Sequence, residues 1–290
     1  MTLQVRNLCK TFRDKLTLQK RQVLFDVSFS VPEKSITGFL GSNGAGKTTT
    51  MKTMLGLLQY DKGEMSFFNN QHKDFREYIG YMPERPYFYE YLTGMEFLVF
   101  YGQLSLKLPK KEIKKKADAL LEKVGLGHAK DKLLRNYSKG MLQRVGLAQA
   151  IIHQPKFLIL DEPMSGLDPD GRYQITELIK ELGQAGTTLF FSSHLLDDVE
   201  KLCDRLVIID KGRILFEGLK SNFIQSGNVG YEITYTVNNE NIKKMAVDLT
   251  AVQNIITDVK NQSGTLISVR EPRVSLEEAF AKLKREKSVT

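Results

Sequence analysis

The strongest chemical signal in the sequence is a glycine-rich loop between a short apolar run and a helical pattern. Its expected nucleotide contacts are Gly41, Ser42, Asn43, Gly44, Ala45, Gly46, Lys47, Thr48 and Thr49. Glycines let backbone N–H groups turn inward around phosphate oxygens, and the start of the next helix adds partial positive charge. Lys47 can reach the β- and γ-phosphates, and Thr48 can ligate Mg²⁺. The sequence therefore predicts a phosphate-binding loop.

A second signal is a pair of adjacent carboxylates after a continuous apolar run at residues 157–160. Such a run is typical of a covered parallel strand, and ligands bind at the carboxyl ends of these strands. We expect Asp161 to hold Mg²⁺ through its water shell and Glu162 to polarise the attacking water. Alone, the pair could be ordinary solvated acids, but the phosphate loop upstream favours the catalytic interpretation.

Apolar periodicity indicates the elements that position these residues. Strand patterns occur at residues 27–31, 36–40, 157–160, 188–191 and 207–209. An all-helical stretch at about 92–136 interrupts this α/β pattern. We therefore expect a mostly parallel sheet with a helical subdomain on its flank.

The inserted stretch is predicted to open with a capping box formed by Thr93 and Glu96. The buried side of its first helix is expected to contain Phe97, Phe100, Tyr101 and Leu104. Pro109 is expected to open a lysine-rich helix, and Ser138 is expected to cap a third.

The pattern of apolar and polar residues changes after Gly218. Tyr231, Ile233, Tyr235 and Val237 alternate with polar residues, residues 266–269 form another candidate strand, and a second capping box begins at Ser275. We expect a small α+β domain at 219–290, following a larger domain at 1–218.

A third motif lies between the phosphate loop and the carboxylates. It reads Tyr137-Ser138-Lys139-Gly140-Met141, followed by Leu142-Gln143-Arg144. This motif resembles the L-S-G-G-Q signature of ABC ATPases, with Q-R downstream. The resemblance extends over about residues 1–218. Ser165-Gly166-Leu167-Asp168 resembles the family's D-loop, and Tyr81-Met82-Pro83-Glu84 resembles its Q-loop. His194 resembles the switch histidine, and Phe12 resembles the aromatic residue that stacks on adenine.

The resemblance implies a P-loop NTPase (ABC ATPase) core that binds ATP and Mg²⁺. It implies catalytic roles for Lys47, Glu162 and His194, and an additional contact to nucleotide and metal by Glu84. Ser138 and Gly140 would contact the γ-phosphate held by a second subunit, so a homodimer or heterodimer is part of the mechanism. Phe12 would stack on adenine, although a plain core position is the alternative.

Three residues depart from the family pattern. Glu84 replaces the usual Gln and adds negative charge near the phosphates, while Lys139 and Met141 replace a Gly and the Gln of the signature. Lys139 could approach the γ-phosphate or point into solvent. The sequence Ser138-Lys139-Gly140-Met141 resembles the export-type subgroup of the family.

The resemblance also implies a separate transmembrane permease, which would place the protein on the cytoplasmic face of the cell membrane. The region of residues 84–91 and the helical subdomain correspond to the family's docking surface. Tyr87, Phe88, Tyr89, Tyr91 and Leu92 form an aromatic cluster there, which could instead pack inside the subdomain. The alternatives are a soluble ABC ATPase without a permease and a non-hydrolysing regulatory module.

Composition sets the remaining expectations. The net charge of +8 and the lysine-rich segment at 107–116 could favour lipid headgroups or a partner, or form a solvated helix face. Aromatic residues do not interleave with these lysines, so no nucleic-acid partner is expected. Cys9 and Cys203 lack metal-ligand spacing, and no apolar run is long enough to span a bilayer.

Overall fold

The computed structural model describes residues 1–13, 19–71, 74–227, 230–237, 240–270 and 275–288. The chain divides into two compact units, Met1–Gly218 and Leu219–Thr290. Each unit has its own apolar core. Among the described residues, no helix combines the length and hydropathy needed to cross a membrane.

The first unit contains two sheets. Its strands are β1 (Leu3–Arg13), β2 (Lys20–Val31), β3 (Ile36–Leu40), β4 (Lys62–Phe67), β5 (Ile79–Met82), β6 (Phe157–Leu160), β7 (Thr188–Ser193), β8 (Arg205–Asp210) and β9 (Arg213–Leu219). The strand order is β2-β1-β4 in an antiparallel sheet and β5-β6-β7-β3-β8-β9 in the central sheet.

The central sheet is parallel from β5 to β8, as predicted. Leu40 pairs with Ser193, and Leu160 pairs with Phe191. The carboxyl ends of β3, β6 and β7 therefore meet at one edge of the sheet. This edge receives the phosphate loop, the carboxylate pair and His194.

Stacked rings join the two sheets. Phe29 of β2 lies 5.7 Å from Phe39 of β3 and 5.5 Å from Phe190 of β7, measured between ring centroids. All three side chains are buried. Because aromatic burial contributes strongly to core stability, this cluster stabilises the sheet whose edge carries the phosphate loop.

Six helices of the first unit lie within the described ranges. They are α1 (Lys47–Met54), α2 (Gly94–Ser105), α3 (Lys110–Lys123), α4 (Lys139–Ile151), α5 (Pro169–Gln184) and α6 (Leu196–Leu202). Helix α1 ends at Met54. Gly56, with φ of +72°, follows its C-cap Leu55, as is typical of a left-handed helix end.

Helix α2 begins with the predicted capping box of Thr93 and Glu96. The predicted buried face is partly wrong. Phe97 is buried, but Phe100 and Leu104 are exposed, and the remaining buried positions are Gly94, Met95, Leu98, Val99 and Gly102. Phe100 instead packs edge-on against Tyr89 and Tyr101 at the surface.

Helices α3 and α4 follow the sequence prediction. Helix α3 begins after Pro109 and buries Ile113, Ala117 and Leu121, so its lysines fall largely on the outer face. The side chain of Ser138 caps α4 by accepting a hydrogen bond from the backbone N–H of Met141 at 3.2 Å.

The second unit is α+β, as predicted. It contains α7 (Lys220–Gly227), β10 (Tyr231–Val237), β11 (Glu240–Ala246), α8 (Leu249–Asn261), β12 (Thr265–Arg270) and α9 (Leu276–Ser288). The antiparallel order is β11-β10-β12. Val252 and Val259 of α8 share a core with Ile233 and Tyr235 of β10.

Candidate nucleotide-binding site

The phosphate loop is a tight connection from β3 to α1. Gly46 caps α1 with φ of +112°, a conformation that favours glycine. A side chain at Gly41 would place its Cβ 2.5 Å from the carbonyl oxygen of Ile209 at the end of β8. The loop therefore packs closely against the sheet, and its glycines are required by the chain itself.

Lys47 starts α1 and points back into the loop. Its Nζ donates a hydrogen bond to the carbonyl of Gly41 at 2.7 Å and lies 3.1 Å from Oε1 of Glu162. The lysine is only 6% exposed. A buried cation thus lies where the loop and the carboxylate strand converge.

The carboxylate pair follows β6 directly. The hydroxyl of Ser192 donates to Oδ1 of Asp161 at 2.6 Å and accepts from the backbone N–H of Glu162 at 2.8 Å. Glu162 has φ of +49°, in the left-handed region that costs energy for a residue with a side chain. From this backbone the Glu162 carboxylate reaches Lys47, which follows the phosphate loop.

His194 completes a chain of three ionisable side chains. Its Nδ1 lies 2.8 Å from Oε2 of Glu162, while Oε1 of the same carboxylate faces Lys47. The histidine side chain is partly exposed, whereas Glu162 is buried. The Glu162 carboxylate is therefore contacted by Lys47 on one oxygen and by His194 on the other, and the His194 side is the one nearer to solvent.

Asp161 is fully buried, and its Oδ2 has no hydrogen-bond partner among the described residues. Burial raises the pKa of this carboxyl. The charges of Glu162 and Glu84 add to the rise, whereas the hydroxyls of Ser192 and Thr48 oppose it. Mg²⁺ is typically bound by one or two carboxylates together with substrate phosphates. The unpartnered Oδ2 of Asp161, beside the hydroxyl of Thr48 and the carboxylate of Glu84, fits this preference. In the described part of the chain, no cluster of three His, Cys, Asp or Glu residues could hold a metal.

The sequence alone assigned no role to two side chains near the site, Ser192 and Tyr81. Ser192 lies inside the buried strand β7, where a polar residue signals a hydrogen-bonded position. Tyr81 of β5 has a buried hydroxyl without a partner in the described residues. Burial and the charge of Asp161 raise the pKa of this hydroxyl.

The signature residues lie apart from this chain of contacts. Ser138 is exposed at the start of α4, and Gly140 has only ordinary neighbours, since an added Cβ would lie 3.6 Å from Leu167. Contacts within the chain therefore do not require glycine at this position. Lys139 is exposed, which agrees with the alternative that it points into solvent. Its side chain covers Gly166, where an added Cβ would collide with Nζ.

Residues downstream of the signature have structural contacts. Gln143 is buried, and its amide donates to the carbonyl of Pro163 at 2.9 Å. Arg144 donates to the carbonyl of Val124 at 3.2 Å and to Oε1 of Gln174 at 2.9 Å. Helix α4 is thereby tied to the loop after β6, to the end of α3 and to α5.

Phe12 is exposed at the end of β1, so the alternative that it is a core residue is wrong. The Nζ of Lys10 lies 5.2 Å from the centre of its ring. The ring face is available to a planar ligand, but no contact joins Phe12 to the phosphate loop among those observed.

The fold and site define a nucleotide-binding protein of the P-loop NTPase class. The ABC transporter family model matches residues 24–165. An uncharacterized ABC transporter ATP-binding protein of Synechocystis sp. is 39% identical over 289 residues, covering 94% of this chain and 81% of the relative. The chain belongs to the family of ABC transporter ATP-binding proteins.

Further similarities agree with this assignment. The bacitracin transport ATP-binding protein BcrA of Enterococcus faecalis is 34% identical, covering 91% of this chain and 82% of the relative. The dimeric structure of a post-hydrolysis state of the ATP-binding cassette MJ0796 bound to ADP and Pi superposes on this chain with a TM-score of 0.68. The match covers 75% of this chain and 98% of the chain of that structure. At 22% sequence identity, it supports the fold.

Proposed function

We propose that this protein hydrolyses ATP to ADP and phosphate and thereby powers export through a separate transmembrane permease. The observation that carries the proposal is the position of Glu162. Its carboxylate lies between Nζ of Lys47 at 3.1 Å and Nδ1 of His194 at 2.8 Å, directly beside the phosphate loop. This arrangement combines a phosphate-binding cation with a base for water.

Binding of ATP changes the partner of Lys47. The triphosphate carries more negative charge than one carboxylate, so Lys47 exchanges Glu162 for the β- and γ-phosphates. This exchange frees Oε1 of Glu162 to orient a water molecule. The water oxygen bonds to the γ-phosphorus, the bond to the β,γ-bridging oxygen breaks, and ADP leaves with the electron pair. Glu162 accepts the proton from water, and His194 holds the other carboxylate oxygen in place.

Thr48, Asp161 and Glu84 would hold Mg²⁺ beside these phosphates. Held by these residues, Mg²⁺ would supply positive charge to the phosphate oxygens. The unpartnered Oδ2 of Asp161 supports this role, because an ionised carboxylate buried without a partner is costly. Glu84 is exposed and close enough to raise the pKa of Asp161, which supports its place at the edge of the metal site.

Dimerisation would complete the nucleotide site. Ser138 and Gly140 lie at an exposed start of α4, outside the contacts of the chain's own phosphate loop. A helix start of this kind favours a phosphate group. The proposed dimer therefore places Ser138 and Gly140 of one subunit on the nucleotide of its partner, while Phe12 stacks on adenine within its own subunit.

The permease would dock on an aromatic surface formed by Tyr87, Tyr91, Phe100 and Leu104. All four side chains are exposed, Tyr87 by 80%. Tyr89 links this surface through ring contacts to Tyr87, Tyr91 and Phe100. Exposed apolar clusters are typical of protein interfaces. Docking there would hold the protein on the cytoplasmic face of the cell membrane.

The resemblance of the signature to exporters supports the direction of transport, and the bacitracin transport relative is compatible with it. The domain at 1–218 would carry the nucleotide chemistry, and residues 219–290 would form an accessory domain. That accessory domain either regulates turnover or helps the two subunits dimerise.

The direct test is release of inorganic phosphate from ATP by the purified chain, with and without Mg²⁺. We expect Mg²⁺-dependent release that rises with protein concentration more steeply than linearly, because the site needs two chains. A chain that binds ATP but releases no phosphate, alone or with its co-purified permease, would contradict hydrolysis. Co-purification of a membrane protein from solubilised membranes tests the permease separately.

A further inference from the structure

A cavity of about 820 Å³ lies at the end of the central sheet where its parallel strands begin. Lys34 precedes β3, Lys156 precedes β6 and Thr188 begins β7, and all three line the cavity. The phosphate loop and Asp161 follow the opposite ends of these strands. At about 3.3 Å per residue, strands of this length separate the two edges by roughly 13–20 Å. The cavity is therefore distinct from the nucleotide site.

Apolar side chains form part of the cavity surface. Leu120 of α3, Ile151 and Ile152 at the end of α4, and Leu182 of α5 contribute to it, together with Phe68. The volume lies within the usual range for small-molecule sites, which are mainly lined by apolar side chains. A ligand with an aliphatic portion would gain free energy by covering this surface.

The rim of the cavity is cationic. Lys34, Lys116, Lys123 and Lys156 line it, and Glu33 is the acidic residue among its lining groups. The carboxylate of Glu33 already accepts a hydrogen bond from the amino terminus of Met1 at 3.1 Å. The acidic charge at the rim is therefore already paired with a cation.

Two of the rim lysines already have partners. Lys123 lies 3.1 Å from Glu181, and Nζ of Lys156 lies 4.5 Å from the ring centre of Tyr78. Lys34 and Lys116 make no ion pair within the described residues. These two cations, one from the sheet edge and one from α3, are the groups available to an anion.

We propose that this cavity binds a small anionic amphiphile. Its aliphatic chain would cover the apolar surface, and its carboxylate or phosphate head would contact Lys34 and Lys116. An anion without an aliphatic portion would leave the apolar surface in water, and a neutral amphiphile would leave both lysines unpaired. The site needs neither ATP nor its hydrolysis.

The chain contains no tryptophan, so one introduced tryptophan reports on one place. Ala185 lines the cavity three residues after Leu182 and is exposed, so Ala185→Trp places the reporter beside the apolar part of the lining, where the bromine at the end of the aliphatic chain would lie. Titration with 12-bromododecanoate should quench this fluorescence in a saturable manner, because bromine quenches only on contact. Leu57→Trp, which is exposed and outside the cavity lining, is the control reporter and should show no saturable quenching.

The rim is tested in the Ala185→Trp chain. Lys34→Glu with Lys116→Glu should weaken the affinity for 12-bromododecanoate by about tenfold or more, because both charge-assisted contacts are lost. Lys114→Glu with Lys115→Glu changes the same charge on the exposed side of α3, outside the cavity lining. This control should alter the affinity by less than about twofold.

The head group and the tail are tested with two further probes. The uncharged methyl ester of 12-bromododecanoate should bind about tenfold more weakly, and inorganic phosphate should not displace the acid. Equal quenching at both reporters would overturn the proposal. So would an unchanged affinity in the variant with Lys34→Glu and Lys116→Glu, or equal binding of the methyl ester and the acid. Displacement by phosphate would identify a plain anion site and would also overturn it.

Discussion

Lys47 and Glu162 form a buried ion pair, with 3.1 Å between Nζ and Oε1. The pair joins the phosphate loop after β3 to the carboxylate after β6. The same two side chains are proposed to act on different groups during hydrolysis, one on phosphate and one on water. On the proposed mechanism, ATP must therefore separate these two side chains, so that Lys47 can meet phosphate and Glu162 can meet water.

Replacement of Lys47 by Ala should lower hydrolysis by about 10²–10³-fold, the typical effect of removing one charge-stabilising donor. It should also weaken ATP binding, because the cation that meets the β- and γ-phosphates is lost. Steady-state phosphate release and equilibrium ATP binding measure the two effects. Lys52→Ala, on the same helix, is the matched control and should retain both. An equal loss in both variants would show that damage to α1, and not a lost phosphate contact, causes the effect.

Gly140→Glu should prevent ATP-dependent dimerisation without unfolding the chain. The nearest atom to an added Cβ at this position is 3.6 Å away, so the fold tolerates a side chain. A carboxylate there would repel the nucleotide of the partner subunit. Sedimentation in the presence of ATP, in the Glu162→Gln background, should show a monomer.

The control for that variant is Gln184→Glu, which adds the same charge at an exposed position of α5. It should leave the ATP-dependent dimer intact. A Gly140→Glu chain that still dimerises with ATP would remove the signature from the proposed interface.

Asp161→Asn should stabilise the nucleotide-free protein. Burial raises the pKa of Asp161 above its unfolded value, so the protonated carboxyl favours the fold at low pH. That contribution is lost as the pH rises through the folded pKa, and the ionised group then costs stability. The neutral amide removes this cost, and a rise in Tm of about 2–4 °C would correspond to roughly 1 kcal/mol in a unit of this size.

Calorimetry across pH tests this sign. The gain should be full above the raised pKa and should shrink as the pH falls through it. Asp170→Asn is the exposed control and should leave Tm nearly unchanged. A lower Tm for Asp161→Asn in the absence of nucleotide and metal would show that the ionised carboxylate stabilises the fold.

Glu84→Gln should leave ATP binding with Mg²⁺ largely intact, because an amide oxygen can still accept from metal-bound water. Without Mg²⁺, ATP should bind the variant more tightly than the native chain, since a negative charge near the phosphates is removed. Titration with ATP in the presence of Mg²⁺ or a chelator separates the two conditions. Loss of nucleotide binding in both would place Glu84 in a different role.

The sequence predicted the groups that are close along the chain. Lys47 follows the glycine-rich loop directly, and Asp161 and Glu162 follow an apolar strand, so local pattern located them. It could not find Ser192, which bonds to both carboxylate residues from a neighbouring strand about 30 positions away. That contact depends on the pairing of β6 with β7, which no local pattern encodes.

Periodicity also failed where the pattern was ambiguous. Helix α2 is apolar on nearly every side, so its sequence fits two apolar stripes equally well. One stripe runs through Phe97 and Phe100, and the other runs through Met95 and Val99. Packing against the rest of the unit buried Phe97 together with Met95 and Val99 and left Phe100 at the surface. Strand β11 has no clear alternation of apolar residues, and its pairing with β10 defines it.

The most direct test of the proposed mechanism is Glu162→Gln. The amide keeps the size of the side chain but cannot accept the proton of the attacking water. We predict that steady-state phosphate release is abolished, while ATP still binds and the protein accumulates as an ATP-bound dimer in sedimentation. Continued steady-state turnover by this variant would contradict the assignment of Glu162 as the base.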